Sequence, residues 1–325
     1  EVPKGADAAT VELEDKPIQS ATHFEDGVPR ADLDQSAQLH MGKTTSLSGK
    51  LSAAGMAIGG VWTAVNVGMQ IASLGSPAAM AGGVALTAAS LFAGYAAADL
   101  GSGFFHHFID NYPDEHTPVI GAMAKEFQEH HFRTYDLLES TFLDNCENAG
   151  KFIAPAAVAS AAINPHYAVQ AAFLAFSLGS YLAQGSHRWT HTKDVPAIGK
   201  FMQKVGLAQG KKSHAIHHRM PWDDHYCIVN GMWNPLASKI DLWRRVENFY
   251  YKAFGAEPKS WRDPGVRALA LGEITKDEFL EKQGINRKIF SEIIKGEREY
   301  WRQEDERRRE GLPGWATEKR NDLEH

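Results

Sequence analysis

The chain has 325 residues, a net charge of −6, and a composition that is 43% hydrophobic and 23% charged. These values exclude a disordered chain and a collagen, and two cysteines are too few for a disulfide scaffold. A basic excess is lacking, which argues against nucleic acid as a partner. The charges are segregated, because residues 51–98 and 152–187 carry none whereas residues 262–325 carry 29.

Residues 1–50 are polar and rich in acids, serine and threonine. They lack the apolar stretch behind a basic start that marks a signal peptide, and transit peptides are poor in acids. We therefore expect residues 1–50 to form a flexible arm. The final Leu323-Glu324-His325 has the composition of a truncated expression tag.

The two uncharged stretches predict four membrane-spanning helices, because a helix needs about 20 apolar residues to cross about 30 Å of hydrocarbon. The first stretch is interrupted near residues 73–77 (SLGSP) and the second at Asn164-Pro165. The alternative is a pair of buried helical hairpins in a soluble protein. We favour an all-α integral membrane protein whose catalytic domain spans residues 51–250.

Basic residues flank the predicted spans on one side. Lys50, Lys125 and Lys151 lie at the same end of the helices, whereas the turn at residues 73–77 has no charge. The positive-inside rule then places both termini and the central loop in the cytoplasm. The expected membrane is a bacterial inner membrane or that of the endoplasmic reticulum. Residues 251–325 predict a charged helical tail, with a capping box at Thr275–Glu278; its role is a solvated surface or partner binding.

Histidines provide the chemical signal, in four segments on the predicted cytoplasmic side. Spacings of three and four residues place side chains on one face of a helix. One zinc ion takes about four ligands, so eight imidazoles suit two first-row metal ions. The predicted ligands are His106, His130, His131, His187, His191, His214, His217 and His218.

Acidic side chains near these histidines in the sequence are expected to form hydrogen bonds to the metal ligands. Asp99 lies seven residues before His106, on the same helical face, and is expected to accept the second ring N–H of a ligand. Asp110 and Glu129 are candidates for the same role or for metal ligation. Arg244 and Arg245, beside Trp243, suit either a lipid phosphate or simple membrane anchoring.

The motifs resemble those of the Kua-type lipid desaturases, a family that includes plasmanylethanolamine desaturases and a plastid phosphatidylglycerol desaturase. The matching segments are DLGSGFFHHFID at residues 99–110, FQEHH at 127–131, DNC at 144–146, SHRWTH at 186–191, the block from His214 to Asn234, and WRRVE at 243–247. Departures are His107, where a tryptophan is usual, residues 222–225, and the charged tail.

The resemblance implies a histidine-bound di-iron centre that uses O2 and an external electron donor of the cytochrome b5 or ferredoxin type. Zinc can replace iron in an overexpressed sample. The expected reaction converts a 1-O-alkyl ether phospholipid (plasmanylethanolamine) to its vinyl ether (plasmalogen). A centre at the ends of the spans favours a bond near the headgroup, which fits the ether and the carboxyl end of an acyl chain equally. The resemblance, together with an N-terminus unlike a transit peptide, favours the ether lipid. The alternatives are an acyl-chain phospholipid desaturase, a lipid hydroxylase on the same site, and a non-enzymatic membrane adaptor.

Overall fold

A computed structural model describes residues 44–131, 137, 140–192, 195–219 and 221–282. Among these residues the secondary structure is helical, without a strand, as the sequence predicts. The helices are α1 (Leu47–Ala72), α2 (Pro77–Asn111), α3 (Gly121–His130), α4 (Phe142–Ile163), α5 (Tyr167–His191), α6 (Ala197–Lys204), α7 (Lys211–His217), α8 (Asn234–Lys239), α9 (Leu242–Phe254), α10 (Pro264–Leu271) and α11 (Lys276–Lys282), with a 3-10 turn at Lys259–Arg262.

Four long helices form the body of the molecule. α1 packs along α4, α4 along α5, and α5 along α2, so the chain order differs from the spatial order. Glycines allow the backbones to approach closely. A Cβ at Gly59 would lie 2.9 Å from the backbone of Ala157, and one at Gly94 would overlap the carbonyl oxygen of Ala172. Small residues therefore stabilise this layer through van der Waals contact between backbones.

Among the residues that the structure describes, two helices are long and apolar enough to cross a membrane. They are α1, with a mean hydropathy of 1.2, and α2, with a mean hydropathy of 1.4. In the apolar 18-residue stretch of each helix, only 28% of the residues of α1 and 17% of those of α2 are buried in the protein. Within the described residues, the two other predicted spans, α4 and α5, do not meet the same test. One reason is that Asp144, Glu147 and Lys151 occupy the first turns of α4 and leave a shorter apolar segment.

The boundaries predicted for the arm and the tail stay predictions. α1 begins at Leu47, three residues before the expected end of the arm, and residues 1–43 lie outside the described part. The capping box of the tail is present, because the Thr275 N–H donates to Glu278 Oε2 at 2.6 Å and the Glu278 N–H donates to Thr275 Oγ1 at 3.2 Å. Beyond Lys282 the predicted helical tail and the tag remnant also lie outside the described residues.

Candidate metal centre

All eight predicted histidines lie at one end of the long helices. His106 occupies the last turns of α2, and His130 and His131 lie at the end of α3. The other five come from the end of α5 and from α7: His187, His191, His214, His217 and His218. The helical spacing inferred from the sequence is therefore realised, and it orients each pair toward a common region.

Five of the histidines form one group, whose ligand atoms all lie within 4.8 Å of one another. Its members are His130, His187, His191, His214 and His218. The Nε2 atom of His214 lies 2.7 Å from the Nε2 atoms of His187, His191 and His218. The His130 and His191 Nε2 atoms are 3.0 Å apart.

Hydrogen bonds cannot account for this convergence. Each ring nitrogen carries either one proton or one lone pair, so His214 Nε2 can make at most one N–H···N bond with its three neighbours. The Nδ1 atoms of His130, His214 and His218 are buried without a hydrogen-bond partner. A cation accepts several imidazole lone pairs at once, and this donor set therefore fits a transition-metal ion.

A second group adjoins the first and contains His106, His131, His217 and Asp110. Asp110 Oδ2 lies 3.3 Å from the Nε2 atom of His106, 3.1 Å from that of His131 and 3.6 Å from that of His217. The rings of His131 and His218 are 4.9 Å apart between centroids, which links the two groups. The arrangement provides places for two metal ions rather than one.

Burial favours the neutral form of several of these imidazoles. The rings of His130, His214 and His217 are almost inaccessible to solvent. Burial, followed by repulsion between neighbouring imidazolium charges, lowers the pKa of His130, His214, His217 and His218 well below the ordinary value. Neutral rings offer lone pairs at physiological pH, which is the protonation state that metal binding requires.

Three contacts fix ring orientation on the side away from the centre. His106 Nδ1 lies 3.1 Å from the carbonyl oxygen of Tyr226, and His217 Nδ1 lies 3.3 Å from that of Asp224. His187 Nδ1 lies 2.9 Å from the side-chain oxygen of Gln184, one turn earlier on α5. Such contacts select the tautomer that exposes Nε2. The sequence offers a signal only for Gln184, because the other two are backbone groups.

The role expected for Asp99 is wrong. Its Oδ1 atom accepts the backbone N–H groups of Asn230 and Gly231, both at 2.9 Å, and its Oδ2 atom accepts that of Trp233 at 3.2 Å. The buried carboxylate therefore holds the loop before α8 against α2 rather than orienting a histidine. Glu129 lies on α3, but its side chain is outside the described residues.

His107, Arg244 and Glu247 form a buried network beside the centre. The Arg244 guanidinium donates to Glu247 Oε2 at 2.6 Å and to the Pro221 carbonyl at 2.9 Å, and His107 Nε2 lies 3.4 Å from Glu247 Oε1. Burial alone would raise the pKa of Glu247, but the His107 hydrogen bond and the Arg244 charge bring it below its ordinary value.

This network changes the expectation for lipid contact. Arg244 is only 4% exposed, and its burial and protein partners argue against the lipid contact expected for it. Arg245, the next residue of α9, is exposed, and its Nε–H donates to the Ile240 carbonyl at 2.7 Å. The expected phosphate contact is therefore retained for Arg245 alone.

Comparison with known proteins adds independent information. The lipid desaturase domain family matches residues 95–261, slightly more than half of the chain and including all eight histidines. Fatty acid desaturase 4 from Arabidopsis thaliana chloroplasts is 32% identical over 189 residues, 58% of this chain and 58% of the relative.

Two further relatives are named for an ether lipid substrate rather than for a fatty acid. A plasmanylethanolamine desaturase from Myxococcus xanthus is 29% identical over 182 residues, 54% of this chain and 65% of the relative. Plasmanylethanolamine desaturase 1 from Mus musculus is 27% identical over 182 residues, 52% of this chain and 66% of the relative. The chain spans about three fifths of the length of the Arabidopsis relatives. No solved structure matches it.

Proposed function

We propose that this chain, which belongs to the lipid desaturase family, is an O2-dependent di-iron desaturase of membrane phospholipids. The observation that carries the proposal is the pair of adjoining ligand groups, five histidines in one and three histidines with Asp110 in the other. They lie at the carboxyl end of α2, a helix apolar enough to cross a membrane. The eight predicted histidines are proposed as the ligands of two irons.

Two bound irons would supply the oxidant from O2, which side chains alone cannot provide. The balanced reaction converts a CH2–CH2 unit, one O2, two electrons and two protons into a CH=CH unit and two waters. An external donor of the cytochrome b5 or ferredoxin type supplies both electrons. The protein holds the imidazoles neutral and oriented, and it excludes bulk water from the reacting carbons. Zinc at the same ligands has no redox chemistry and would leave the protein inactive.

A groove of about 400 Å³ beside the centre suits a phospholipid. Phe104 and Phe108 of α2 line one wall, Phe249 and Arg245 of α9 line the other, and His107 lies next to the ligand His106. In the described part of the chain Arg245 forms no ion pair within 4.0 Å, although Asp241 lies close enough to interact with its charge. A lipid phosphate complements this guanidinium, and the aromatic rings suit the first carbons of the chain.

The proposal also names the lipid substrate and the bond that is desaturated. The sequence-based expectation is the 1,2-desaturation of a 1-O-alkyl ether phospholipid, in agreement with the names of the bacterial and mouse relatives. An acyl-chain phospholipid is the second candidate, and sequence identity favours it. The Arabidopsis fatty acid desaturases are 32% and 33% identical, against 29% and 27% for the plasmanylethanolamine desaturases.

A competition assay separates the two substrates. Iron-reconstituted protein in vesicles receives equal amounts of 1-O-alkyl phosphatidylethanolamine and a diacyl phospholipid, with O2 and an NAD(P)H-driven electron donor. Mass spectrometry then identifies any lipid that is two mass units lighter, and acid treatment cleaves only a vinyl ether. Zinc-loaded protein is the control. An acyl product alone overturns the ether assignment, and a hydroxylated product overturns desaturation in favour of hydroxylation.

The proposed location is a multi-pass membrane protein with the metal centre on the cytoplasmic side, in a bacterial inner membrane or the endoplasmic reticulum. The distribution of lysine and arginine supports this orientation. Both native cysteines are buried, so single cysteines can be introduced at Ser76 and Thr192. We expect an impermeant reagent to label these two positions from opposite sides of the membrane, and labelling of both from one side contradicts the topology.

A further inference from the structure

Asp110 occupies an unusual position in the second ligand group. Its side chain is 8% exposed, and its Oδ2 atom faces three imidazole Nε2 atoms, from His106, His131 and His217, at 3.1–3.6 Å. Its Oδ1 atom is buried without a hydrogen-bond partner, and so is His217 Nε2. A buried carboxylate oxygen and a buried ring nitrogen without partners are both costly in a protein.

The tautomers of two rings make this contact unfavourable without a cation. His106 Nδ1 and His217 Nδ1 each face a backbone carbonyl oxygen, at 3.1 and 3.3 Å. A carbonyl oxygen only accepts, so the single proton of each neutral ring lies on Nδ1. The Nε2 lone pairs of His106 and His217 then point at a carboxylate.

We propose that Asp110 is a direct carboxylate ligand of one of the two metal ions, an inference that rests on the proposed di-metal centre. A cation between Oδ2 and the three Nε2 atoms converts the repulsion into coordination. The two ions are then chemically different. One is bound by five neutral imidazoles and the other by three imidazoles and a carboxylate, which partly neutralises its charge.

This difference has a measurable consequence for the ions. A carboxylate is a harder ligand than imidazole, so the ion beside Asp110 has a distinct electronic environment. In the wild-type protein reconstituted with ⁵⁷Fe(II), we expect Mössbauer spectra with two quadrupole doublets of equal area. A single doublet from two equivalent irons would overturn the proposal without any mutation, so this measurement does not depend on the folding of a variant.

The matched pair Asp110→Asn and Asp223→Asn tests the ligand directly. Both carboxylates are mostly buried, with 8% and 11% of the side chain exposed, but Asp223 pairs with Lys276 rather than with histidines. After anaerobic loading with Fe(II) and passage over a chelating resin, we expect two ions per chain in the wild type and in Asp223→Asn. We expect one ion and one doublet in Asp110→Asn.

The outcomes distinguish the inference from the proposed function. Two retained ions with unchanged doublets in Asp110→Asn would make Asp110 a hydrogen-bonding neighbour and overturn its ligation, while the di-metal centre would stand. One ion or none in the wild type contradicts the di-metal centre itself. If Asp110→Asn does not fold, as judged by circular dichroism, Asp110→His takes its place, because it exchanges the carboxylate for a neutral nitrogen ligand. We then expect one of the two doublets to shift, and doublets unchanged from the wild type would overturn ligation by Asp110.

Discussion

The helical layer and the histidine end satisfy their buried polar groups in different ways. In the layer, the Asn66 amide donates to the Ala161 carbonyl at 2.8 Å, and the Gln170 amide donates to Asn164 Oδ1 at 2.9 Å. At the histidine end, nitrogens converge on one another at 2.7 Å, and several have no partner. The polypeptide pairs these amides by itself, whereas the proposed metal ions would supply the partners at the histidine end.

Among the substitutions considered, His214→Ala should have the largest effect, because it tests whether the histidine end binds metal ions. The Nε2 atom of His214 contacts three other Nε2 atoms, so its loss removes the centre of the five-histidine group. We expect at least one of two irons to be lost and desaturation to fall below detection. Elemental analysis and product assays measure both. His116→Ala is the control, because that side chain is 85% exposed and lies outside both groups. Full activity in His214→Ala would remove it from the ligands.

Asp99→Asn should weaken the junction between the two regions. The amide replaces one acceptor oxygen by an NH2 group that faces backbone N–H donors of the loop at residues 230–233. We expect a loss of about 2–3 kcal/mol in unfolding free energy, because hydrogen bonds to a charged group are lost. Denaturation in detergent measures it. Asp114→Asn, at an exposed carboxylate that accepts only one backbone N–H group, should have a much smaller effect. Equal effects would contradict the anchoring role.

Gly94→Ala acts within the helical layer. A methyl group there overlaps the Ala172 carbonyl, so α2 and α5 must separate. Overpacking of this kind destabilises by about 1–2 kcal/mol. Gly82→Ala on the same helix meets no atom within 4 Å and should be neutral or stabilising. The comparison of the two denaturation midpoints checks the packing, and an undiminished midpoint for Gly94→Ala would show that the helices are not in backbone contact.

Arg245→Gln should have the smallest effect, confined to substrate binding. We expect KM for the phospholipid to rise about fivefold, which corresponds to about 1 kcal/mol, with kcat and iron content unchanged. Steady-state assays with vesicle-bound substrate measure it. Lys252→Gln is the control, since Lys252 is exposed on the same helix but does not line the groove. The same KM change in both variants would indicate general attraction to the membrane instead of a phosphate site.

The sequence predicted which histidines come together, because local helical spacing decides which side chains share a face; their role as metal ligands stays a prediction. The pairs His187–His191 and His214–His218 are each separated by four residues, and both pairs converge as expected. The division into two groups could not be predicted, because it depends on how the ends of four segments pack. The unpartnered oxygen of Asp110 also appears only after folding.

One acidic and one basic residue, Asp99 and Arg244, show where reasoning from the local sequence failed. Asp99 does lie seven residues before His106, but its partners Asn230 and Gly231 are more than 130 residues away in sequence. Arg244 was assigned to the membrane surface from its neighbour Trp243. The acidic Glu247, three residues later on the same helix, was a local signal for the buried pair and could have corrected the assignment.

A single turnover tests the central claim most directly. Protein that contains two Fe(II) ions per chain holds the two electrons that desaturation needs in addition to the substrate's own. Mixed once with O2 and vesicles of both phospholipid classes, without an electron donor, it should form up to one lipid two mass units lighter per chain, and none without O2 or with zinc. Complete oxidation of the iron with no desaturated lipid of either class would contradict the account.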